Sequence, residues 1–249
     1  MGIAAFEWGE GQLTLLMING AAWNGEVLSG RAQPNGETWC GISRNGRVAF
    51  LVDRMIFDGL NNCVSFPAEF LQGHMSPEEF ANEIAEDPVR YPGITFNLIV
   101  ADITSNSMYH ISKVSQTMPY VHTEQVAFGV HTLSSSGLDA HVANDLRLKD
   151  FFTEMIDEYE NKQLPSLREI AERFMYDPTE AVEGSKLTAF FVNVDVTELN
   201  YIWIPIQEGR YRTTSTTALT VKPTYEVEFY ERYLDNGEWR DHEVTFNIV

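Results

Sequence analysis

The chain has 249 residues, a formal net charge of −19 and only two cysteines, Cys40 and Cys63. A surface this negative repels a phosphate backbone, and no cluster of Lys or Arg offsets it, so we expect no nucleic-acid partner. The sequence shows neither a signal peptide nor an apolar run of about 20 residues, which predicts a soluble, cytoplasmic protein with two buried thiols. No linker or repeat divides residues 1–249, so a single domain is expected.

The first half of the sequence is predicted to be rich in strands. Leu13–Ile18 is a short apolar run, typical of a strand buried on both faces. Thr38–Ser43 and Arg47–Val52 flank Asn45-Gly46, a dipeptide that favours tight hairpins because both residues tolerate positive φ. A second hairpin and one further strand are predicted at Thr95–Ile103, Met108–Lys113 and Gln125–Val130.

Helices are predicted in the middle of the chain. Ser76 as N-cap, with Glu79 at the third helical position, predicts a helix that continues to Glu86. The pair Ser166 and Glu169 is a second capping box and begins a helix that ends near Met175. The longest helix is predicted over about Leu138–Tyr159, where apolar residues recur at helical spacing. These residues are Leu138, Val142, Leu146, Phe152, Ile156 and Tyr159.

The last third of the sequence returns to strands, and it ends in a long hairpin that pairs Tyr225–Tyr233 with Glu238–Ile248. Three strands are predicted before this hairpin, at Leu187–Val196, Tyr201–Ile206 and Thr213–Val221. Strands followed by helices and again by strands indicate an α+β fold. The expected architecture is two mostly antiparallel sheets packed together, with helices outside them.

Local chemistry is weak outside one region. No histidine pair has the helical spacing of a zinc site, so no metal site is predicted. His242 alternates with apolar residues of the last strand and is expected to be solvated. Five apolar residues have two interpretations, as core or as a flexible mouth for a flat apolar ligand. They are Met17, Met55, Phe57, Phe66 and Phe70.

Five segments carry motifs that can be compared with known families. They are Gly2–Phe6, Gly36–Leu51 with Thr38-Trp39-Cys40-Gly41-Ile42 at its centre, Gly93–Asp102, Phe128–Val130 and Arg212–Leu219. Their order and spacing resemble the Transport and Golgi organisation 2 family, also called the NRDE family. The resemblance implies an N-terminal-nucleophile-hydrolase-like αββα sandwich.

The same resemblance implies a site that has lost its catalytic groups. The family has Cys at position 2 as nucleophile, with an Asn-Arg-Asp-Glu motif to position it, whereas this chain has Gly2 and Asn19-Gly20-Ala21-Ala22. Other positions of the site also depart from the family pattern. The degenerate pocket positions are Gly2, Asn19, Gly20, Ala21, Asp53, His131 and Thr214. No catalytic residue remains, so a pseudoenzyme is expected.

What the resemblance implies for function is haem trafficking: a non-catalytic haem-binding factor, or haem chaperone, that carries haem or another flat apolar ligand. Haemoproteins or membrane proteins would be transient partners, and the protein would associate with organelle membranes. The candidate ligand-binding residues are His131, His141, Arg31 and Arg212, with Arg44, Arg47 and Arg210 as further partners for the propionates. Two alternatives stay open, an amidohydrolase or thioesterase with unrecognised residues and a Golgi or membrane-traffic adaptor without a small ligand.

Overall fold

The structure is a computed structural model that describes residues 2–18, 27–32, 37–53, 66–87, 95–115, 119–159, 165–174, 215–235 and 238–249. Within these ranges the chain forms two sheets and four helices. The helices are α1 (Phe66–Gln72), α2 (Pro77–Glu86), α3 (Ala143–Tyr159) and α4 (Leu167–Phe174).

The first sheet has seven strands, and every neighbouring pair in it is antiparallel. In chain order they are β1 (Ile3–Gly9), β2 (Gln12–Ile18), β9 (Gly129–Ser134), β10 (Gly137–Leu138), β11 (Ser215–Val221), β12 (Glu226–Asp235) and β13 (Glu238–Asn247). The spatial order is β10-β9-β1-β2-β11-β12-β13, which places the N-terminal strand β1 inside the sheet.

The second sheet has six strands, arranged in the order in which they occur along the chain. They are β3 (Val27–Ala32), β4 (Glu37–Ser43), β5 (Arg47–Asp53), β6 (Phe96–Asp102), β7 (Ser107–Lys113) and β8 (His122–Gln125). All neighbouring pairs are again antiparallel, with one irregularity between Gly30 and Arg31 of β3.

The two sheets pack face to face, and helices cover their outer faces. Side chains alternate along β1, so Ala4, Phe6 and Trp8 enter the core between the sheets, whereas Ala5 packs towards α3 and α4. A separate apolar cluster joins α1 and α2 to the second sheet through residues such as Phe66 and Phe96. This arrangement confirms the α+β sandwich predicted from the sequence.

Local signals in the sequence give several elements correctly. The Asn45-Gly46 hairpin joins β4 to β5, with Gly46 at φ +78°. Ser76 and Glu79 form the complete capping box of α2, and the hydroxyl of Ser166 accepts the backbone N–H of Glu169 at 3.3 Å. Each of these features depends on residues close together in sequence, which is why the pattern alone predicts them.

The predicted beginning of the long helix is wrong. α3 begins at Ala143, because Gly137 and Leu138 instead pair with β9 and Asp139 adopts a positive φ of 49°. The buried face also differs from the predicted stripe, since Leu146 is 45% exposed. Its buried members include Leu148, Phe152 and Met155.

Two strand predictions also need correction. Residues 125–130 do not form one strand, because β8 ends at Gln125 and β9 begins only at Gly129, whose φ of +139° favours glycine. The strand β1 (Ile3–Gly9) was not predicted. The predicted strands at 187–196 and 201–206 lie outside the described residues.

Candidate functional site

The two ends of the space between the sheets are defined by contacts across it. At one end Gly2 precedes β1, and Ile3 pairs with Ile18 on one side and Ser134 on the other. Asn97 of the second sheet reaches this end, because its Nδ2 donates to the backbone oxygen of Ser134 at 3.1 Å. We call this the Gly2 end.

The opposite end carries three turns. The backbone N–H of Gly11, between β1 and β2, donates to Oδ1 of Asn106, between β6 and β7, at 2.7 Å. The N–H of Ile103 donates to the oxygen of Gly46 in the β4–β5 turn at 3.0 Å. Groups near these turns are therefore separated from the Gly2 end by the length of the strands.

Gly2 brings no side chain to the Gly2 end. It lies one step before Ala4 in the alternation that sends Ala4, Phe6 and Trp8 between the sheets. A thiol or hydroxyl at this position would face the same space, but glycine supplies neither.

Further into the sandwich from Gly2, one residue from each of six strands forms a continuous row across the first sheet. The register pairs Leu133 with Ala4, Ala4 with Met17, Met17 with Thr217, Thr217 with Glu231, and Glu231 with His242. The row, Leu133–Ala4–Met17–Thr217–Glu231–His242, changes from apolar at β9 to polar at β13. Its polar part is the least expected feature of this end.

Glu231 is a buried carboxyl in this row. Its side chain is 1% exposed, and its Oε1 has no hydrogen-bond partner. Burial raises the pKa of Glu231 to about 8, so the group is mostly uncharged at neutral pH. Cys40 lies on the facing strand β4. Burial, and then the ionised form of Glu231, raise the pKa of the Cys40 thiol. The prediction of a buried Cys40 is confirmed, whereas Cys63 lies outside the described residues.

His242 is not solvated as predicted. It is half-buried, with a buried Nε2, because it alternates in phase with Val244 and Phe246, which pack against the core between the sheets. Arg240 lies one step further towards the Gly2 end on the same face of β13, and it is exposed. The sequence carried a usable signal, because His242 continues the apolar alternation of this strand.

A second polar cluster, centred on His110, lies between the sheets beside β6 and β7. His110 is 3% exposed, with Nδ1 at 2.9 Å from Oε1 of Glu124 and Nε2 at 3.1 Å from Oδ1 of Asn97. Asn97 donates to Ser134 through Nδ2, so its Oδ1 is the atom that faces Nε2 of His110. Burial lowers the pKa of His110, while the hydrogen bond and charge of Glu124 oppose this shift.

His131 belongs to a different network, beside Phe6 in the middle of β1. Its Nδ1 lies 2.7 Å from Oδ2 of Asp139, and its Nε2 lies 2.9 Å from the backbone oxygen of Ala127. Both ring nitrogens face acceptors, so binding to a metal would require one of these contacts to break. His141 is exposed and lies just before α3.

Two of the candidate arginines lie away from the Gly2 end. Arg44 is exposed in the β4–β5 turn. Arg47 is buried towards α1, where its Nε donates to the oxygen of Phe70 at 2.9 Å and its guanidinium carbon lies 3.9 Å from the centre of the Phe70 ring. The other predicted site positions have no described side chain: Asn19, Gly20, Ala21, Arg31, Asp53, Arg210, Arg212 and Thr214.

The Gly2 end also includes a cleft beside the last strands of the second sheet. It has a volume of about 230 Å³ and is lined by Ser112, Val114, Tyr120 and His122. Among the described residues, no group of three or more His, Cys, Asp or Glu side chains is arranged to hold a metal ion.

The sequence pattern that defines the Transport and Golgi organisation 2 family matches residues 17–236. The chain belongs to this family. The family match confirms the resemblance drawn from the sequence motifs and includes the positions of Asn19, Gly20 and Ala21, whereas Gly2 precedes it. No curated protein sequence matches the chain.

Solved structures agree with the fold of this Transport and Golgi organisation 2 protein. Two variants of conjugated bile acid hydrolase from Clostridium perfringens are similar, one with a cysteine changed to alanine and one with an arginine changed to leucine. Each is 11% identical, and the alignment covers 99% of this chain and 97% of the hydrolase, with TM-scores of 0.49 and 0.50 respectively. The alignment with a TM-score of 0.50 shows a similar fold, consistent with the N-terminal-nucleophile-hydrolase-like α+β sandwich expected from the sequence. No helix in the described ranges is long and apolar enough to cross a bilayer.

Proposed function

We propose that this protein is a non-catalytic, cytosolic carrier that binds a flat apolar ligand at the Gly2 end, and that the ligand is haem. The observation that carries the proposal is Gly2 itself. It lies where β1 leads into the space between the sheets, and it offers no nucleophile there. A hydrolase that acts through the first strand needs a thiol or hydroxyl at that point.

The remaining thiol near this end is a poor substitute. Cys40 is 2% exposed, and its raised pKa keeps it in the protonated, unreactive form. The buried carboxyl Glu231 lies beside Thr217 in a mostly apolar layer, and because burial keeps it mostly uncharged at neutral pH it is a poor general base. These features favour binding over acyl transfer.

Haem matches this end in three respects. Its macrocycle is apolar, as are Ala4, Met17 and Leu133 in the row that crosses the first sheet. His242 is a half-buried imidazole on the same face of the sheet and is the candidate ligand for the iron. Arg240 supplies a positive charge for a propionate at the border of the site.

Titration of the purified protein with haem tests the proposal. We expect a saturable shift of the Soret band, with one haem bound per chain. His242→Ala should change the position of the band or weaken binding, and added imidazole should restore it. His74→Ala is the matched control, because His74 is exposed on the connection between α1 and α2. A spectrum that does not change, or that never saturates, would count against a haem carrier.

The alternative of a hydrolase is tested with the same protein. We expect no release of product from amide or thioester substrates by the native chain. Gly2→Cys introduces a thiol but leaves Gly20 and Ala21 where the family motif has Arg and Asp. We therefore expect this variant to be inactive as well. Turnover by the native chain would contradict the non-catalytic proposal.

A further inference from the structure

The imidazole ring of His110 on β7 contacts an acceptor on each side. Its Nδ1 lies 2.9 Å from Oε1 of Glu124 on β8, and its Nε2 lies 3.1 Å from Oδ1 of Asn97 on β6. A carboxylate oxygen and an amide oxygen can only accept. Both contacts are therefore hydrogen bonds only when each ring nitrogen carries a proton.

The orientation of the Asn97 amide is fixed from the other sheet. Its Nδ2 donates to the backbone oxygen of Ser134 in β9 at 3.1 Å, so turning Nδ2 towards His110 would place Oδ1 against that oxygen. Asn97 and His110 are each 3% exposed, so a mismatched group would stay buried without a partner. The second proton of His110 and the bond between the sheets are therefore coupled.

Opposing effects act on the second proton of His110. Burial lowers the pKa of the ring, whereas the hydrogen bond and charge of Glu124 raise it. Among the described residues, the other titratable groups that act on the ring are His122 of β8, which lowers its pKa, and Asp139 before α3, which raises it. Burial outweighs the rest, so the ring changes charge on the acid side of the ordinary value of 6.5. Glu124 is 47% exposed, which gives the pair access to protons from solvent.

We propose that His110 is a pH-dependent latch between the two sheets. With two protons, the ring donates to Glu124 and to Asn97, and Asn97 stays bonded to Ser134. When the ring releases one proton to solvent, it keeps the other on Nδ1, because that bond has a charged acceptor. Nε2 then faces Oδ1 of Asn97 with a lone pair on each atom, and the amide turns away from Ser134.

The latch acts on the Gly2 end of the sandwich. Ser134 of β9 pairs with Ile3 of β1, the residue that follows Gly2. Proton uptake therefore tightens β9 and β1 against the second sheet, and proton release loosens them. The latch requires no ligand, so it does not depend on the proposed function.

NMR and hydrogen exchange of the full-length protein test the latch between about pH 5 and 8, the range in which histidine titrates. Long-range proton–nitrogen spectra should show two N–H groups on His110 at the acid end and one at the other. After correction for the intrinsic effect of pH on exchange, the amides of β9 should be about fivefold more protected when the ring carries both protons, as expected for one hydrogen bond. The amides of α2 are the internal reference and should not change.

Glu124→Gln separates a latch from a purely structural contact. The new amide can turn to donate to Nδ1, so a neutral ring with its proton on Nε2 can also donate to Asn97. We therefore expect this variant to keep β9 protected at both ends of the pH range, although it has lost the charge. His74→Gln is the control, because His74 is exposed between α1 and α2, and it should behave like the native chain.

His110→Gln removes the contribution of Asp145 from the measurement. Asp145 also contacts Ser134, and burial raises its pKa to about 7, so it can alter the protection of β9 on its own. The pH dependence that is present in the native chain and absent from His110→Gln measures the latch alone. Glu124→Gln should show no more pH dependence than His110→Gln.

Three results would each overturn the latch. One is a His110 ring with the same number of protons throughout the range, and another is an equal pH dependence of β9 in the native chain and in His110→Gln. The third is a Glu124→Gln variant whose β9 loses protection at every pH. Circular dichroism establishes that each variant is folded. If His110→Gln does not fold, the spectra of the native ring and Glu124→Gln still decide.

Discussion

The side-chain amide of Asn97 and the backbone oxygen of Ser134 form a 3.1 Å hydrogen bond that joins the two sheets at the Gly2 end. Asn97 is 3% exposed and lies between two groups that depend on it, since its oxygen also faces Nε2 of His110. The bond therefore holds β9, and β1 beside it, against the second sheet.

Replacing Asn97 with Ala should therefore destabilise the protein. The change leaves the oxygen of Ser134 and Nε2 of His110 buried without their partner, at a cost of about 1–3 kcal/mol for each group. Urea denaturation of Asn97→Ala measures the loss in the free energy of unfolding. Asn82→Ala is the matched control, because Asn82 is exposed on α2. Equal stability of the two variants would show that the bond between the sheets contributes little.

Asp139 should be sensitive to both charge and backbone conformation. Its carboxylate accepts from His131, from Nζ of Lys149 at 2.8 Å and from the N–H of Thr132 at 3.1 Å. Burial alone would raise the pKa of Asp139, but these hydrogen bonds outweigh it and hold the pKa well below its usual range. The stability it contributes is present above the ordinary pKa of 3.8 and is lost as the pH falls through the folded value.

Two variants separate the contributions of Asp139. Asp139→Asn keeps a residue that tolerates the positive φ but loses the charge and one acceptor oxygen, whereas Asp139→Ala also loses the other oxygen and the tolerance of positive φ. We expect Ala to be less stable than Asn by about 1 kcal/mol because of the left-handed backbone. Thermal denaturation of both variants, at neutral and at acid pH, measures the difference. If the two variants melt at the same temperature, the positive φ at residue 139 does not contribute to the difference in stability.

Glu231 should make the protein less stable as the pH rises. Its folded pKa of about 8 exceeds the ordinary value of 4.5, so the unfolded state releases the proton first. Its contribution is full below about 4.5 and is lost as the pH rises to about 8, at roughly 1.4 kcal/mol per unit. Glu231→Gln should remove this slope from the free energy of unfolding, measured in urea across the same range. A slope that persists in the variant would assign it to another group, such as Asp145, whose pKa burial raises to about 7.

Cys40 should react slowly with a thiol reagent in the folded protein. It is 2% exposed and its thiol stays protonated, so reaction requires the sandwich to open. The rate of labelling by a disulfide reagent, measured in a Cys63→Ser background, should rise by orders of magnitude in urea. Fast labelling under native conditions would mean that the space beside Glu231 is accessible without unfolding.

Sequence reasoning succeeded where neighbouring residues decide the structure. The alternation of Val227 and Phe229 predicts the final hairpin, and Ser76 with Glu79 predicts α2. The beginning of α3 was predicted wrongly because the sequence does not show that Leu138 pairs with β9. The positions of Glu231 and His242 at this end were not predicted for a similar reason. Only the order of the strands places them in one row with Ala4.

Strand β13 pairs with β12 and with no other strand in the part of the chain that the structure describes. His242, the imidazole proposed to bind the haem iron, therefore lies at the border of a sheet. A ligand bound there would leave sideways, past β13, while the contact between Phe6 and Phe50 at the centre of the sandwich stays closed. We therefore expect a ligand held at this border to be released faster than the whole sandwich unfolds.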